Sequence, residues 1–398
     1  VFDNGEILID NLTSEKILIK NINLNIKKNC EPNCTNEEKS IPLDLILKPS
    51  TYQKLKSEKI KINFQNTLED FVEIKYFDEN NNAYSLIEKV EKTSFNKKNF
   101  FKNSAIEVNQ NLILIDKNYV LKSGIFEIKK PIIIPSGFNF NIEAGTVLKM
   151  HKDTYIMVKN GLVNFSGKVG QPIIIRSYNK GNKWKGIYVN SKAIDKEISF
   201  FDHLDVSDYS YFDNDKIQLT GGINLINGQF NLKNSQFKNS LAEDAINLVN
   251  SRFELKNLNF LNANSDAIDI DFGEGQIINS RFQKISGDAI DLSGSNVLIK
   301  DITVSKVADK AISVGEESTL EIDNLDISDS RIGIASKDLS KVKGKKIKIS
   351  NCGLYDFAVY QKKSYFSGAY LRVQAETSCK ESIVQKGSEL FLNDKKLI

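Results

Sequence analysis

Between Leu241 and Lys337 the sequence repeats itself every 22 residues. Glu243-Asp244-Ala245-Ile246-Asn247 returns as Ser265-Asp266-Ala267-Ile268-Asp269 and again as Gly287-Asp288-Ala289-Ile290-Asp291. It returns twice more, as Asp309-Lys310-Ala311-Ile312-Ser313 and Arg331-Ile332-Gly333-Ile334-Ala335. A period that holds without a break over five copies restricts the chain to a repeat architecture, in which each unit packs on its neighbours.

The content of each copy decides which one. Apolar residues alternate with polar ones, as in Ile268 and Ile270 or Ile290 and Leu292, and no helical stripe interrupts them. Period-2 alternation is the mark of a strand. Twenty-two residues suffice for about three short strands and their turns, one coil of a helix made of β-strands. One coil cannot bury its own apolar face, so stacked coils must share a core. The pattern resembles the right-handed parallel β-helix family, the pectate-lyase-like superfold, and implies an all-β, single-stranded parallel β-helix.

Residues 1–104 lack the period and show short strands such as Ile17-Leu18-Ile19 and Val72-Glu73-Ile74-Lys75-Tyr76, parted by turn clusters such as Asn80-Asn81-Asn82. Strands at this spacing predict a small β-sandwich. Residues 105–123 are expected to form a linker and N-terminal cap, 124–375 the β-helix, and 376–398 a C-terminal cap over its open end. At 22 residues per coil the helix has about 11 coils. Ile132-Ile133-Ile134-Pro135-Ser136-Gly137, Ile142 to Leu148, Pro172-Ile173-Ile174-Ile175 and Trp184-Lys185-Gly186-Ile187 resemble the opening coils of secreted bacterial β-helix proteins. All six prolines lie at or before Pro172, as expected if every later strand is central in a ladder to which proline cannot donate. Asn190 to Gly222 breaks the pattern and is read as a loop thrown out from the coils.

Composition narrows the function classes. Lysine and arginine number 54 against 51 acidic residues, a net charge of +3, which argues against a dedicated nucleic-acid binder. No apolar run approaches the ~18 residues of a membrane-spanning helix. The first residue is Val1 rather than Met, as expected of a trimmed chain that has lost a leader or an upstream domain. The four cysteines fall into local pairs, Cys30 with Cys34 and Cys352 with Cys379. That pairing fits two disulfides and an oxidising, extracytoplasmic compartment, with four free thiols as the alternative. Zinc is disfavoured, because the two histidines, His151 and His203, lie far from either pair.

If Ile268 and Ile270 point inward, Asp269 and Asp271 point outward. Stacking then builds columns on one face: Asn247, Asp269, Asp291, Ser313; Val249, Asp271, Ser293, Gly315, Lys337; and Asp244, Asp266, Asp288, Lys310, Ile332. Like charges ~5 Å apart on neighbouring coils are unfavourable unless a cation, a proton or a base relieves them. Asp266, Asp269, Asp271, Asp288 and Asp291 are therefore candidate calcium ligands, and Lys310 beside them a candidate catalytic base for β-elimination on a uronic acid. The competing reading is that the turn aspartates cap backbone amides of the next coil. Trp184, Tyr188, Tyr209 and Tyr211 are candidate platforms for sugar rings, with core or loop anchoring as the alternative. Lys337 and Lys363 are candidate substrate contacts.

The Gly-His-Gly and Arg-x-Lys pair of polygalacturonase-type enzymes is absent, as is the Asp-Pro-His-Asp motif of alginate epimerases. The runs "GDAIDLSGS", "DKAISVGEES" and "VYQKK" resemble β-helix repeats of bacterial surface proteins, some joined to a module resembling spore coat protein H. That resemblance implies work on the envelope or an exopolysaccharide, and singles out Asp288, Asp291, Lys310, Glu316, Lys337 and Lys363. Three readings stand: a protein that binds or organises a surface polysaccharide; a calcium-dependent polysaccharide lyase or epimerase acting on uronic-acid polymers; and a structural rod of a surface layer or appendage.

Overall fold

The structure, a computed structural model, describes residues 6–9, 17–27, 36–47, 58–61, 71–77, 81–89, 111–179, 181–191, 197–214, 217–379 and 381–397. The chain divides into two units, Val1–Phe100 and Phe101–Ile398. All described regular elements are strands.

In the first unit four antiparallel strands form one sheet, in the order Asn36–Leu47, Ile17–Lys27, Phe71–Phe77, Ala83–Lys89. Glu6–Ile9 pairs antiparallel with Glu58–Lys61. Pro42 lies on the edge strand of the larger sheet, where the missing amide donor is tolerated. Cys30 and Cys34 lie outside the described residues.

The second unit is the parallel β-helix that the 22-residue period predicts. Three parallel ladders run along it. On the first, Ile132–Ile134, Ile156–Lys159, Ile187–Asn190, Gly221–Ile226, Asp244–Val249, Asp266–Asp271 and Ile290–Ser293 stack in succession. Residues 312–315, 334–337, 357–360 and Ile383–Val384 continue it, which makes ten pairings and eleven strands. The second ladder runs from Asn118–Leu121 to Glu389–Leu392, and the third from Ile125–Ile128 to residues 375–377.

The registers are those the period demands. Ile246, Ile268, Ile290, Ile312 and Ile334 are successive partners, and all five are fully buried. Burying one such side chain contributes about 1.5–3 kcal/mol, so each coil gains its stability from the coil beneath it. Inside the third ladder Phe237, Phe260 and Phe282 stack ring on ring, with centroids 5.1 and 5.0 Å apart.

Single residues in the left-handed conformation turn the chain from sheet to sheet. Asn234, Asn257, Asn279, Asp301 and Asn324 hold one corner at φ 46–69°, and Asn239, Asn262, Lys284, Lys306, Asp329 and Asn351 another. Asparagine tolerates that conformation, and its side chain bonds to the asparagine below. The Asn257 amide donates to Asn234 at 2.7 Å and that of Asn279 to Asn257 at 2.8 Å.

An antiparallel strand closes each end of the second ladder: Leu112–Ile115 on Asn118–Leu121, and Lys395–Leu397 on Glu389–Leu392. The coil edges are thereby paired. Near the far end Cys352 and Cys379 form a disulfide with Cα atoms 5.5 Å apart.

Asn190 to Gly222 is only partly the side loop expected of it. Ile198–Asp202 and Leu204–Ser207 are regular strands of the second and third ladders. The excursions flank them, and one carries a short antiparallel ladder, Asp213–Asn214 on Ile217–Gln218.

Candidate functional site

The outward face of the first ladder differs from the other two. On the second ladder inward side chains are buried and outward ones half-buried or exposed, the exposed case being clearest in 319–323 and 341–345. On the first ladder both faces are covered: Asn224, Asn247, Ser313, Ala335 and Ala358 point outward yet are at most 4% exposed, while Asp269 and Asp291 are half-buried. The polar members of this row are more deeply set than most outward side chains of the other ladders.

The registers place Asn247 against Asp269, Asp269 against Asp291 and Asp291 against Ser313. Asp271 partners Val249 and Ser293, and Asp244 partners Asp266. The acidic part is knitted together by one amide. Asn247 Nδ2 donates to Asp269 Oδ2 at 3.0 Å, Asp271 Oδ2 at 3.4 Å and Asp244 Oδ2 at 3.5 Å. Burial, then repulsion from Asp271, Asp244, Asp291 and Asp266, holds the Asp269 carboxyl well above the usual carboxylate range. Burial also raises Asp271 and Asp288, lifts Asp244 to about 6 and takes Asp266 to about 7.

The turn aspartates cap backbone, as the competing reading of that column expected. Asp266 Oδ1 accepts the Asp288 amide at 2.8 Å and Asp288 Oδ1 accepts the Lys310 amide at 2.9 Å. Gly287 makes room for this: a Cβ there would stand 2.0 Å from Asp266 Oδ1. Carboxylate oxygens of Asp266, Asp288 and Asp291 all lie within 4.8 Å of one another. Of the five aspartates considered for calcium, these three are gathered at one point, while Asp269 and Asp271 turn to Asn247 instead.

The cationic part follows along the ladder. Lys310 Nζ lies 3.1 and 3.3 Å from the two oxygens of Asp288 and 2.5 Å from Asp309. Burial alone would lower its pKa, but the two carboxylates outweigh it and hold the ammonium protonated. Lys310 is thus placed as the counter-ion of Asp288 and Asp309. Lys337 is 2% exposed; it reaches back over Gly315 to within 3.8 Å of Asp291. Lys363 pairs with Glu316 at 2.6 Å, and Ser293 donates to Glu316 at 2.8 Å. Burial would raise Glu316, but these two hydrogen bonds lower it below the usual range. At the centre Ser313 is fully buried and its Oγ has no partner.

The aromatic candidates lie elsewhere. Trp184 and Tyr209 are fully buried in the core, and the Trp184 indole donates to the Ser207 carbonyl at 3.0 Å. Tyr188 is 4% exposed, with Phe212 packed edge-on against it. These three rings offer no surface to a sugar; they anchor the early coils and the loop that carries Phe212. Tyr211 is half-buried on that loop.

Residues 244–369, which include the acidic and cationic rows, match the family model described as "Right handed beta helix region". With the three parallel ladders this makes the second unit a right-handed parallel β-helix. No curated protein matches the chain. Among solved structures it is similar to the periplasmic alginate epimerase AlgG, at 11% identity and a TM-score of 0.39 over 71% of this chain and 79% of that one. It is also similar to the catalytic domain of a GH87 alpha-1,3-glucanase solved with tetrasaccharides, at 10% and 0.40 over 98% and 91%. The alginate lyase from Paenibacillus sp. str. FPU-7 aligns at 10% and 0.25 over 63% and 92%. Among the described residues no helix is long and apolar enough to cross a membrane.

Proposed function

We propose that the protein binds a polysaccharide outside the cytoplasm, along the outward face of the first ladder. One observation carries this reading. From Asn224 to Ser313 the outward row is polar or charged and is buried at Asn224, Asn247 and Ser313 and half-buried at Asp269 and Asp291, whereas the outward side chains of the other ladders are mostly half-buried or exposed. A face that only had to be soluble would not sink carboxylates at a cost in charge burial. Coils repeat at ~4.8 Å, so the half-buried members of the face, Asp269, Asp271, Asp291, Ser293 and Lys310, offer a stepped series of polar groups to a linear polymer. The acidic part of the face suits hydroxyls and its lysines suit carboxylates. The Cys352–Cys379 disulfide supports an oxidising compartment.

A second reading, catalysis on a uronic-acid polymer with calcium, rests on Asp266, Asp288 and Asp291. Their oxygen spacing fits a cation that takes ligands at 2.3–2.6 Å, although Lys310 already sits on both oxygens of Asp288. Bound calcium would be held by these three groups as carboxylates and would neutralise a substrate carboxylate there.

The test is titration calorimetry against linear hexasaccharides of galacturonic, mannuronic and guluronic acid and of glucose, with and without calcium. Absorbance near 235 nm is followed in parallel for an unsaturated product. Saturable binding of at least one saccharide is expected; heats no larger than dilution across the whole set contradict the reading. Calcium is expected to raise the melting temperature at pH 8 in the wild type and not in Asp266→Asn. An equal shift in both would remove the ion from this site.

A further inference from the structure

At the edge of this face one residue departs from the rule of its column. The corner after the first ladder is held, coil by coil, by Asn227 (φ 56°), Asn250 (φ 47°), Phe272 (φ 55°), Gly294 (φ 59°) and Glu316 (φ 50°). The backbone positions are equivalent. Asn227 N donates to the Val249 carbonyl, Asn250 N to that of Asp271 and Phe272 N to that of Ser293. A bulky side chain in the left-handed region is strained where asparagine or glycine is not. Among the described residues only Phe272 and Leu339 are apolar side chains in that region.

Phe272 costs the fold a second time. In every described asparagine stack the later amide donates to the oxygen of the earlier residue, and Asn250 Nδ2 does so to Asn227 at 2.7 Å. Asn250 Oδ1 should receive the same from position 272 and does not; it is buried without a partner. An asparagine at 272 would relieve the backbone and satisfy that oxygen together. A residue that breaks two local rules points to function more than to folding.

The surroundings say which function. The Phe272 ring is half-buried and lies across Gly294, where a Cβ would stand 2.7 Å from the ring. It follows Asp271 directly in the chain. The paired Glu316 and Lys363 stand on the far side of Gly294, two coils along the same corner. We infer that Phe272 is a sugar-binding platform, on which the C–H face of one pyranose unit stacks while its polar groups reach Glu316 and Lys363. The slightly positive C–H groups of a sugar face suit the negative face of an aromatic ring, and the charged pair at the rim fixes orientation. This rests on the glycan-binding reading of the face and assigns it one subsite.

The experiment compares wild type, Phe272→Asn and Phe272→Tyr in two readouts: melting temperature, and affinity for the saccharides of the same panel. Phe272→Asn is expected to melt higher by about 2–4 °C and to bind at least tenfold more weakly, while Phe272→Tyr keeps affinity within about threefold. A lower melting temperature for Phe272→Asn makes the ring a packing residue and overturns the inference. Unchanged affinity in Phe272→Asn, with the wild type binding, overturns the subsite and leaves the binding face standing. A wild type that binds nothing in the panel contradicts both.

Discussion

Asp266 and Asp244 sit at about 7 and about 6, far from the 3.8 of a free aspartate, and the direction has a consequence for stability. A carboxyl whose folded pKa is raised holds its proton more tightly in the folded state. The folded state is therefore favoured while the group stays protonated, and it loses that advantage as pH climbs from about 4 through about 7. Asp269, Asp271 and Asp288 are raised as well and tilt the balance the same way. Thermal melts are expected to peak on the acid side and to fall by the equivalent of about 2–4 kcal/mol between pH 4 and pH 7.5. Asp266→Asn flattens that slope. A melting temperature that rises over this range in the wild type contradicts the burial of these carboxyls. Gly287→Ala should act like a partial loss of Asp266, since its methyl takes the space of the Asp266 oxygen.

At the level of elements, the coil is the unit of both stability and legibility. The middle ring of the third-ladder stack is Phe260, between Phe237 and Phe282. Phe260→Ala is expected to cost about 3–5 kcal/mol in a denaturant melt, and a cost below about 1 kcal/mol would mean the coils close over the gap. The Cys352–Cys379 bridge spans 27 residues, and its removal should cost about 3–4 kcal/mol on loop-closure grounds. Hydrogen exchange is expected to speed up over 376–397 and to leave 244–315 unchanged. Much of this was readable beforehand, because a side chain in one coil meets its counterpart 22 residues on. Asp269 against Asp291 and Asp244 against Asp266 are the period written as register. The stretch from Asn190 to Gly222 escaped because insertions at the corners shift the period while leaving inward alternation intact, as Phe201 and Val206 show by their burial. Trp184 and Tyr209 escaped for a related reason. Outside the regular repeat nothing in the sequence says which face a ring takes, and both turned inward. Phe272 carried a signal, a break in a column of asparagines, but its meaning depends on the left-handed corner, which a sequence does not display.

For the second unit as a whole, the arrangement joins a repetitive scaffold to one non-repetitive face. The apolar interior and the asparagine corners recur with little change. The outward row of the first ladder changes from asparagine to aspartate to serine to alanine over successive coils, and on and beside it the chain accepts buried charge, an unpartnered Ser313 hydroxyl and a strained Phe272. The most direct test of that asymmetry is a matched pair of changes read by the same calorimetric titration with the tightest-binding saccharide of the panel. Asp269→Asn with Asp271→Asn alters the first-ladder face while keeping shape; Glu321→Gln with Lys343→Ala alters exposed positions of the second ladder. The first-ladder pair is expected to weaken binding at least tenfold with the melting temperature held or raised at pH 7.5, and the second-ladder pair to leave binding unchanged. Equal losses in both, or a loss confined to the second ladder, would contradict a binding face on the first.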